Sequence, residues 1–343
     1  MNKLNFSWQS FLIFAGLGVG LNPAIAAIPH QTEAMSPTAA TELSLNLPDT
    51  DRGQPGSTAG GGKRGGCINR ETKVLFRPVL PVNAQGEVTA RTVSTDLDFW
   101  WYMPENDAVR AEFSVFAQNN DADALVHYQV INDISQKSGL MQVELPDNTL
   151  KVGQAYWWDL TLACDEVDRS ADIYLFGSVE RQNIAQMMLP NDPALLDSLA
   201  AALVADNSDF SLSTAEAQEL AAALGGSRDT ATVKMVSDRL LTHFNALRND
   251  YAKVNQSLAK AQQNPGINQT EIQSLEAQRG QMVLELAQLS AFYGVWGDTV
   301  DFLAEYRSDY PEDWQSLLKA LFPADDPNTV EEEDLIIRLL SQS

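Results

Sequence analysis

The sequence predicts an α+β protein in two parts: an N-terminal antiparallel β-sandwich of immunoglobulin-like architecture and an all-α C-terminal region. Short segments of alternating apolar and polar residues fill positions 67–181, and the composition changes to Ala, Leu, Gln and Glu after position 181. Two long segments further on carry an apolar residue every three or four positions. A period of two is typical of half-buried strands, and a period near 3.6 is typical of amphipathic helices. We therefore assign residues 67–181 to the sandwich and residues 182–343 to a helical domain.

The predicted strands are short and are separated by residues that favour turns. In one of them, Ala111 and Phe113 share a face while Arg110 and Glu112 occupy the other. Pro, Asn and Asp interrupt the pattern between strands. About seven strands at this spacing are typical of an antiparallel sandwich. The segments are 73–80, 97–103, 109–117, 124–131, 139–145, 155–164 and 172–181.

The C-terminal region is predicted to contain two short helices and one long helical hairpin. The short helices cover 190–205 and 213–224, and Ser213 with Glu216 forms a capping box at the start of the second. The long segments cover 230–262 and 269–294, with Asn264-Pro265-Gly266 as a turn between them. Their heptad-like apolar seams predict a coiled-coil-like hairpin over 230–294. We expect this arm to be removable without unfolding the sandwich.

The N-terminus is typical of an exported protein. Lys3 precedes an apolar run over 11–21, and Ala24-Ile25-Ala26 has the small-x-small pattern of a cleavage site. The run is shorter than the roughly 20 residues that a spanning helix needs. Residues 1–26 are thus a predicted signal peptide, with retention as an uncleaved anchor as the alternative. The mature protein is expected in the periplasm or outside the cell, without stable membrane insertion.

Residues 27–66 form a predicted flexible tether, because they are rich in Pro, Gly, Ser and Thr and cannot bury much apolar surface. The chain then contains two cysteines, Cys67 and Cys164. An even count in an exported protein predicts one disulfide, with two free thiols as the alternative. Cys164 shares the apolar face of its strand with Trp158 and Leu162, so the bridge is expected to be buried.

The chain is strongly acidic, with a formal net charge of −23. Nucleic acid is therefore excluded as a partner, because its phosphates would be repelled. The densest polar cluster consists of Asp165, Asp168, Arg169 and Asp172. We interpret it as a capped turn held by an Arg–Asp pair, with a cation or ligand site as the alternative.

No sequence motif predicts a reaction. There is no G-x-S-x-G elbow and no H-E-x-x-H helix, and the Gly-rich stretch before Cys67 lacks the spacing of a phosphate-binding loop. His30, His127 and His243 are scattered and there is no C-x-x-C pair, so no metal site is predicted. We expect no catalytic residue, cofactor or metal, and hence a protein that is not an enzyme.

Aromatic runs are the most informative feature of the predicted strands. Adjacent side chains of a strand point to opposite faces, so Trp100 and Trp101 must face opposite ways, and Trp157 must face away from Trp158. One aromatic face therefore lies outside the sandwich core. It either docks the helical region or forms a platform for a sugar or a partner. Those of Trp100, Trp101 and Trp157 that are exposed form the candidate binding surface.

Several marker segments resemble one family when they are read in order. They are Asp51-Arg52-Gly53-x-Pro55-Gly56, the Gly60–Gly66 stretch with Cys67, Phe99-Trp100-Trp101-Tyr102-Met103-Pro104, Leu150-Lys151-Val152-Gly153, Tyr156-Trp157-Trp158, Cys164-Asp165, Asp168-Arg169-Ser170-Ala171-Asp172 and Trp296-Gly297-Asp298-Thr299. Together they resemble the cyanobacterial domain-of-unknown-function family numbered 928, over about 50–180 and 285–320. The resemblance implies an exported sandwich followed by helices, and it implies no active site. The region between about 200 and 285 departs from the pattern.

The predicted function is that of an exported, non-catalytic binding or assembly protein. Its partner is expected to be an unknown protein or glycan of the cell envelope. The alternative is a secreted hydrolase acting on envelope or extracellular polysaccharide. Convergent acids of raised pKa in a cleft would favour that alternative.

Overall fold

A computed structural model describes residues 59–60, 66–68, 76–82, 87–119, 123–205, 210–263, 268–322, 337–338 and 340. The predicted signal peptide, nearly all of the predicted tether and the turn at 264–266 lie outside these residues. Within the described ranges, no helix combines the length and the apolar composition needed to cross a membrane.

The N-terminal part folds into two β-sheets. Its strands are β1 (Ala59–Gly60), β2 (Arg77–Pro78), β3 (Thr89–Thr92), β4 (Leu97–Met103), β5 (Arg110–Ala117), β6 (Ala124–Asn132), β7 (Gly139–Leu145), β8 (Ala155–Ala163) and β9 (Ile173–Arg181). The large sheet has the order β1-β9-β8-β5-β6, and β3 also pairs with β9, in parallel. The small sheet has the antiparallel order β2-β4-β7. Six of the seven predicted antiparallel strands are thus confirmed, whereas in 73–80 only Arg77–Pro78 is a strand among the described residues, and β1 and β3 were missed. The finer immunoglobulin-like assignment stays a prediction.

Aromatic side chains join the inner faces of the two sheets. The ring of Phe99 on β4 lies 5.0 Å from that of Phe113 on β5 and 5.6 Å from that of Trp158 on β8. Trp158 lies directly opposite Gly177 in the β8–β9 register. A Cβ at Gly177 would lie only 2.2 Å from Cζ2 of that indole, so the glycine makes room for the ring.

The C-terminal part contains six described helices. They are α1 (Pro193–Leu203), α2 (Thr214–Gly226), α3 (Thr230–Gln263), α4 (Gln269–Phe292), α5 (Trp296–Glu305) and α6 (Pro311–Leu321). Asp192 caps α1 by accepting hydrogen bonds from two backbone N–H groups, and Ser213 caps α2 by accepting one from Glu216. These side chains satisfy N–H groups that have no partner inside the helix. Helix α2 runs two residues beyond its predicted end, through both glycines.

Helices α3 and α4 run antiparallel. Ser237 contacts Tyr293, and one and a half turns further along α3 His243 contacts Glu285. The apolar positions that predicted the α3 seam are buried from Val236 to Leu258, apart from Tyr251, which is half-buried. Residues 285–292 of α4, however, are buried on every side. Ala287 and Ala291 of α4 belong to the same apolar core as the two sheets, which argues against a removable arm, and that expectation stays a prediction.

Helix α5 packs on β4 and β3. Asp298, in its first turn, accepts hydrogen bonds from the backbone N–H of Val93 at 2.9 Å and from the Ser94 hydroxyl at 2.5 Å. On the side of β4 that points away from the large sheet, the Trp100 indole N–H donates to Asp301 at 3.2 Å. Trp100 and its side of β4 thus dock the helical part onto the small sheet, whereas Phe99 faces the large sheet.

Candidate functional site: the outer face of the large sheet

The side of the large sheet that points away from the small sheet carries a concentration of aromatic and polar residues. Alternation along each strand and the register between strands place them together. We call this surface the outer face; it consists of Glu112, Ser114, Phe116, Tyr128, Val130, Trp157, Asp159, Thr161, Tyr174 and Phe176.

Two aromatic pairs stand on the outer face. Phe116 and Trp157 are cross-strand neighbours whose rings stack with centroids 4.1 Å apart and planes 10° from parallel. The indole N–H of Trp157 donates to Asp123 at 2.7 Å, which fixes the ring orientation. Tyr174 and Phe176, alternate residues of β9, form the second pair at 6.0 Å. All four rings are half-buried, so each leaves part of its surface available to a ligand.

Asp159 lies between the two aromatic pairs. It is opposite Ser114 on one neighbouring strand and opposite Phe176 on the other. Removal of water by these neighbours raises the pKa of its carboxyl to about 6, although hydrogen bonds from Thr161 and Ser114 oppose the shift. Near that pH the carboxyl can either donate or accept a hydrogen bond.

The raised pKa of Asp159 makes stability depend on pH. The folded protein holds this proton more tightly than the unfolded chain, so ionisation between about pH 4 and pH 6 destabilises the folded state. We expect Asp159→Asn to match the wild type at pH 4 and to be the more stable protein above pH 6. Thermal unfolding from pH 4 to pH 8 measures the difference. The exposed acid variant Glu276→Gln serves as the control, and a difference independent of pH would contradict the assignment.

One end of the outer face is bordered by an ion-pair network. Arg169 donates to both oxygens of Glu112, at 3.1 and 3.0 Å, and also pairs with Asp172. The hydrogen bond from Arg169 is the main reason that the pKa of Glu112 lies below its usual range. Asp168 caps the short 3₁₀ helix Arg169–Ala171. The polar cluster found in the sequence is therefore a capped turn that ties the β8–β9 loop to β5.

The disulfide predicted between Cys67 and Cys164 is present, with Cα atoms 5.1 Å apart. The backbone N–H of Cys164 donates to Asp172 at 3.0 Å, so the bridge is continuous with the ion-pair network. The expectation of a buried bridge is wrong, because Cys164 lies just beyond the end of β8 and both cysteines are only half-buried.

Of the three predicted binding tryptophans, the structure leaves one accessible. Trp100 and Trp101 are 7% and 2% exposed, because α5 covers one side of β4 and the large sheet covers the other. They are not available to a partner, and for them the prediction is wrong. Trp157 remains accessible. The other rings of the two aromatic pairs, Phe116, Tyr174 and Phe176, were missed as site residues, since only the strand order places β5, β8 and β9 side by side.

A serine–histidine–glutamate group lies between α3, α4 and the segment before α2. Glu285 is 2.5 Å from Nε2 of His243, and the Ser211 hydroxyl is 3.5 Å from the same nitrogen. In a catalytic triad the acid and the nucleophile contact different ring nitrogens. This group therefore lacks triad geometry. Within the described ranges, no three His, Cys, Asp or Glu side chains are placed to hold a metal ion.

Carboxylates of raised pKa meet where β4 packs against α5. Burial raises the pKa of Asp98 to about 6, and burial together with repulsion from Asp98 raises the pKa of Asp301 well above its usual range. Asp98 accepts a hydrogen bond from Gln142, and Asp301 accepts one from Trp100. We call Asp98 and Asp301 the acid cluster; it is the feature of the structure that favours the hydrolase alternative.

Comparison with known proteins gives a match over the sheets. No curated protein matches the chain. A solved structure titled "pT26-6p" is similar over 68% of this chain, at 13% identity and a TM-score of 0.21, and the chain spans about half (48%) of that protein. The predicted family segment at 285–320 lies outside the family match. Residues 59–221, which hold both sheets, α1 and the start of α2, match the model of the family described as Domain of Unknown Function (DUF928).

Proposed function

We propose that this is an exported, non-catalytic binding protein whose outer face takes a neutral glycan. The observation that carries the proposal is the arrangement of two aromatic pairs on either side of Asp159. The disulfide is compatible with the oxidising compartment that export implies.

The chemistry of the outer face suits a sugar. Pyranose rings carry apolar C–H surfaces that pack on aromatic rings, and their hydroxyl groups need hydrogen-bonding partners. The outer face offers half-buried rings and, between them, the half-buried carboxyl of Asp159. Such a combination of apolar area and a few placed polar groups is typical of ligand sites. The net charge of −23 disfavours anionic polymers, so the glycan is expected to be neutral.

Binding is expected to depend on Trp157, because its indole is the largest side chain of the two aromatic pairs and is held in place by Asp123. The dissociation constant is measured by isothermal titration calorimetry with neutral β-1,4-, β-1,3- and α-1,4-linked hexasaccharides. Trp157→Ala should weaken binding at least about tenfold, which corresponds to roughly 1.4 kcal/mol. Trp157→Phe, which keeps a ring, should lose less.

Val167→Ala is the matched control, since Val167 is 89% exposed in the β8–β9 loop and is not part of the outer face. The proposal fails if no hexasaccharide binds, or if Trp157→Ala binds as the wild type does.

The acid cluster supports a second candidate, the hydrolase. Turnover of any of these sugars that Asp301→Asn abolishes, while Trp157→Ala leaves the chemistry intact, would establish that candidate instead.

A further inference from the structure

Strand β6 is an open edge of the large sheet. It ends the order β1-β9-β8-β5-β6 and, within the described ranges, pairs only with β5. The backbone groups on its other side therefore have no ladder partner in that part of the chain. An open edge can add a further strand through main-chain hydrogen bonds.

Most of the features that usually protect an edge strand are missing from β6. Its nine residues, ALVHYQVIN, include no Lys, Arg, Asp, Glu or Pro. Leu125 and Tyr128 are 55% and 52% exposed, and Val126 and Val130 are also exposed. The one protective feature is a bulge at Leu125–Val126, where the register with β5 shifts. A long, uncharged and apolar edge is a surface that another strand is expected to cover.

The sequence of β6 is self-complementary about Tyr128. If two copies pair antiparallel with Tyr128 opposite itself, Val126 faces Val130 of the second copy. His127 then faces Gln129, and the bulge next to Val126 ends the regular pairing there. Moving the centre to Gln129 would place His127 opposite Ile131, which mixes a polar with an apolar side chain. The register centred on Tyr128 is therefore favoured over that neighbour.

We propose that the partner of β6 is a second copy of this chain, bound edge to edge about a two-fold axis at Tyr128. The distribution of charge on the chain favours a second copy over a basic partner. Two copies that each carry −23 repel each other least where neither contributes charge, and β6 is such a strand. A basic partner would instead be drawn to the acidic surface. Asp123 and Asp133 flank β6 and would face each other across the pair, so salt is expected to strengthen the dimer.

The pairing would join two large sheets into one continuous sheet. Directly opposed residues of antiparallel strands lie on the same side, so both outer faces would point the same way. If the glycan proposal also holds, one polymer could engage both faces and gain avidity. The edge pairing itself does not depend on that proposal.

Disulfide trapping in the full chain tests the register. Opposed Cβ atoms in an antiparallel pair are about 4.5–5.5 Å apart, close to the reach of a disulfide. Tyr128→Cys should cross-link with itself under mild oxidation. Val126→Cys should not cross-link with itself, but should cross-link with Val130→Cys when the two variants are mixed. The native cysteines are already paired with each other and do not interfere.

Sedimentation equilibrium of the unmodified chain tests the assembly itself. We expect a dimer at micromolar concentration that Tyr128→Lys weakens at least about tenfold, because it sets two like charges opposite each other. Circular dichroism should be unchanged, since Tyr128 is an exposed residue. The proposal is overturned if the chain is a monomer, if Tyr128→Lys leaves the dimer intact, or if Tyr128→Cys cross-links no faster than Val167→Cys. Self-linking of Val126→Cys would overturn the register.

Discussion

Replacing Cys67 and Cys164 together with alanine is expected to lower the free energy of unfolding by about 4–5 kcal/mol. The bridge joins residues 97 positions apart, so its main effect in the chain-entropy model is to restrict the unfolded chain. It also ties the segment before the first long strand to the β8–β9 turn. Guanidinium denaturation followed by tryptophan fluorescence measures the loss as a lower midpoint.

Reduced wild-type protein is the control for this experiment, because it lacks the bridge but keeps both sulfur atoms. It should unfold near the midpoint of the double variant. Before reduction, the denatured wild type should show no titratable thiol. Equal midpoints for oxidised wild type and double variant would contradict the prediction.

The second large effect is expected at Gly177. A methyl group there would lie 2.2 Å from Cζ2 and 2.4 Å from Cε2 of Trp158, which packs against Phe99 in the core. The indole cannot move without disturbing the contact between the two sheets. We therefore expect Gly177→Ala to lower the free energy of unfolding by about 3 kcal/mol. Chemical denaturation of the variant checks the value.

A double-mutant cycle shows whether the indole is the cause. Trp158→Phe replaces the indole with the smaller phenyl ring. In that background, Gly177→Ala should lower the free energy of unfolding by less than it does alone. Gly225→Ala is the matched control. No atom lies within 4 Å of its added Cβ, so it should be neutral or slightly stabilising. Additive losses in the cycle would show that the close approach to Trp158 does not limit the site.

The strands of the sandwich could be predicted from local pattern. Residues of β4 to β9 alternate as the sequence indicates, and the predicted bounds agree with the structure to within about one residue. β3 was not predicted because Thr89–Thr92 is too short for a pattern, and it is held as a strand by parallel pairing with β9. In such a short segment the conformation depends on pairing with the partner strand. The local sequence contains no pattern that would predict this pairing.

The helical region shows where local pattern stops being sufficient. The apolar spacing of α3 predicted its buried stripe, since that stripe faces one side. In α4 the same spacing predicted one seam, but residues 285–292 are buried on all sides, polar Gln288 and Ser290 included. Glu285 is buried as well, and hydrogen bonds from the Ser211 backbone and the His243 ring satisfy its carboxylate. Those partners come from distant segments, so their presence could not be read from α4.

The sequence by itself determined the period of each element, the charge of the surface and the presence of one possible disulfide pair. It also determined that Trp157 points away from Trp158, because alternation along a strand is a local property. Which aromatic face stays accessible was decided only by the tertiary structure. The side of β4 away from the sandwich core is covered by α5, whereas the outer face of the large sheet keeps its aromatic rings half-exposed. Strand order and helix docking depend on contacts between residues far apart in the chain, and local periodicity carries no information about those contacts.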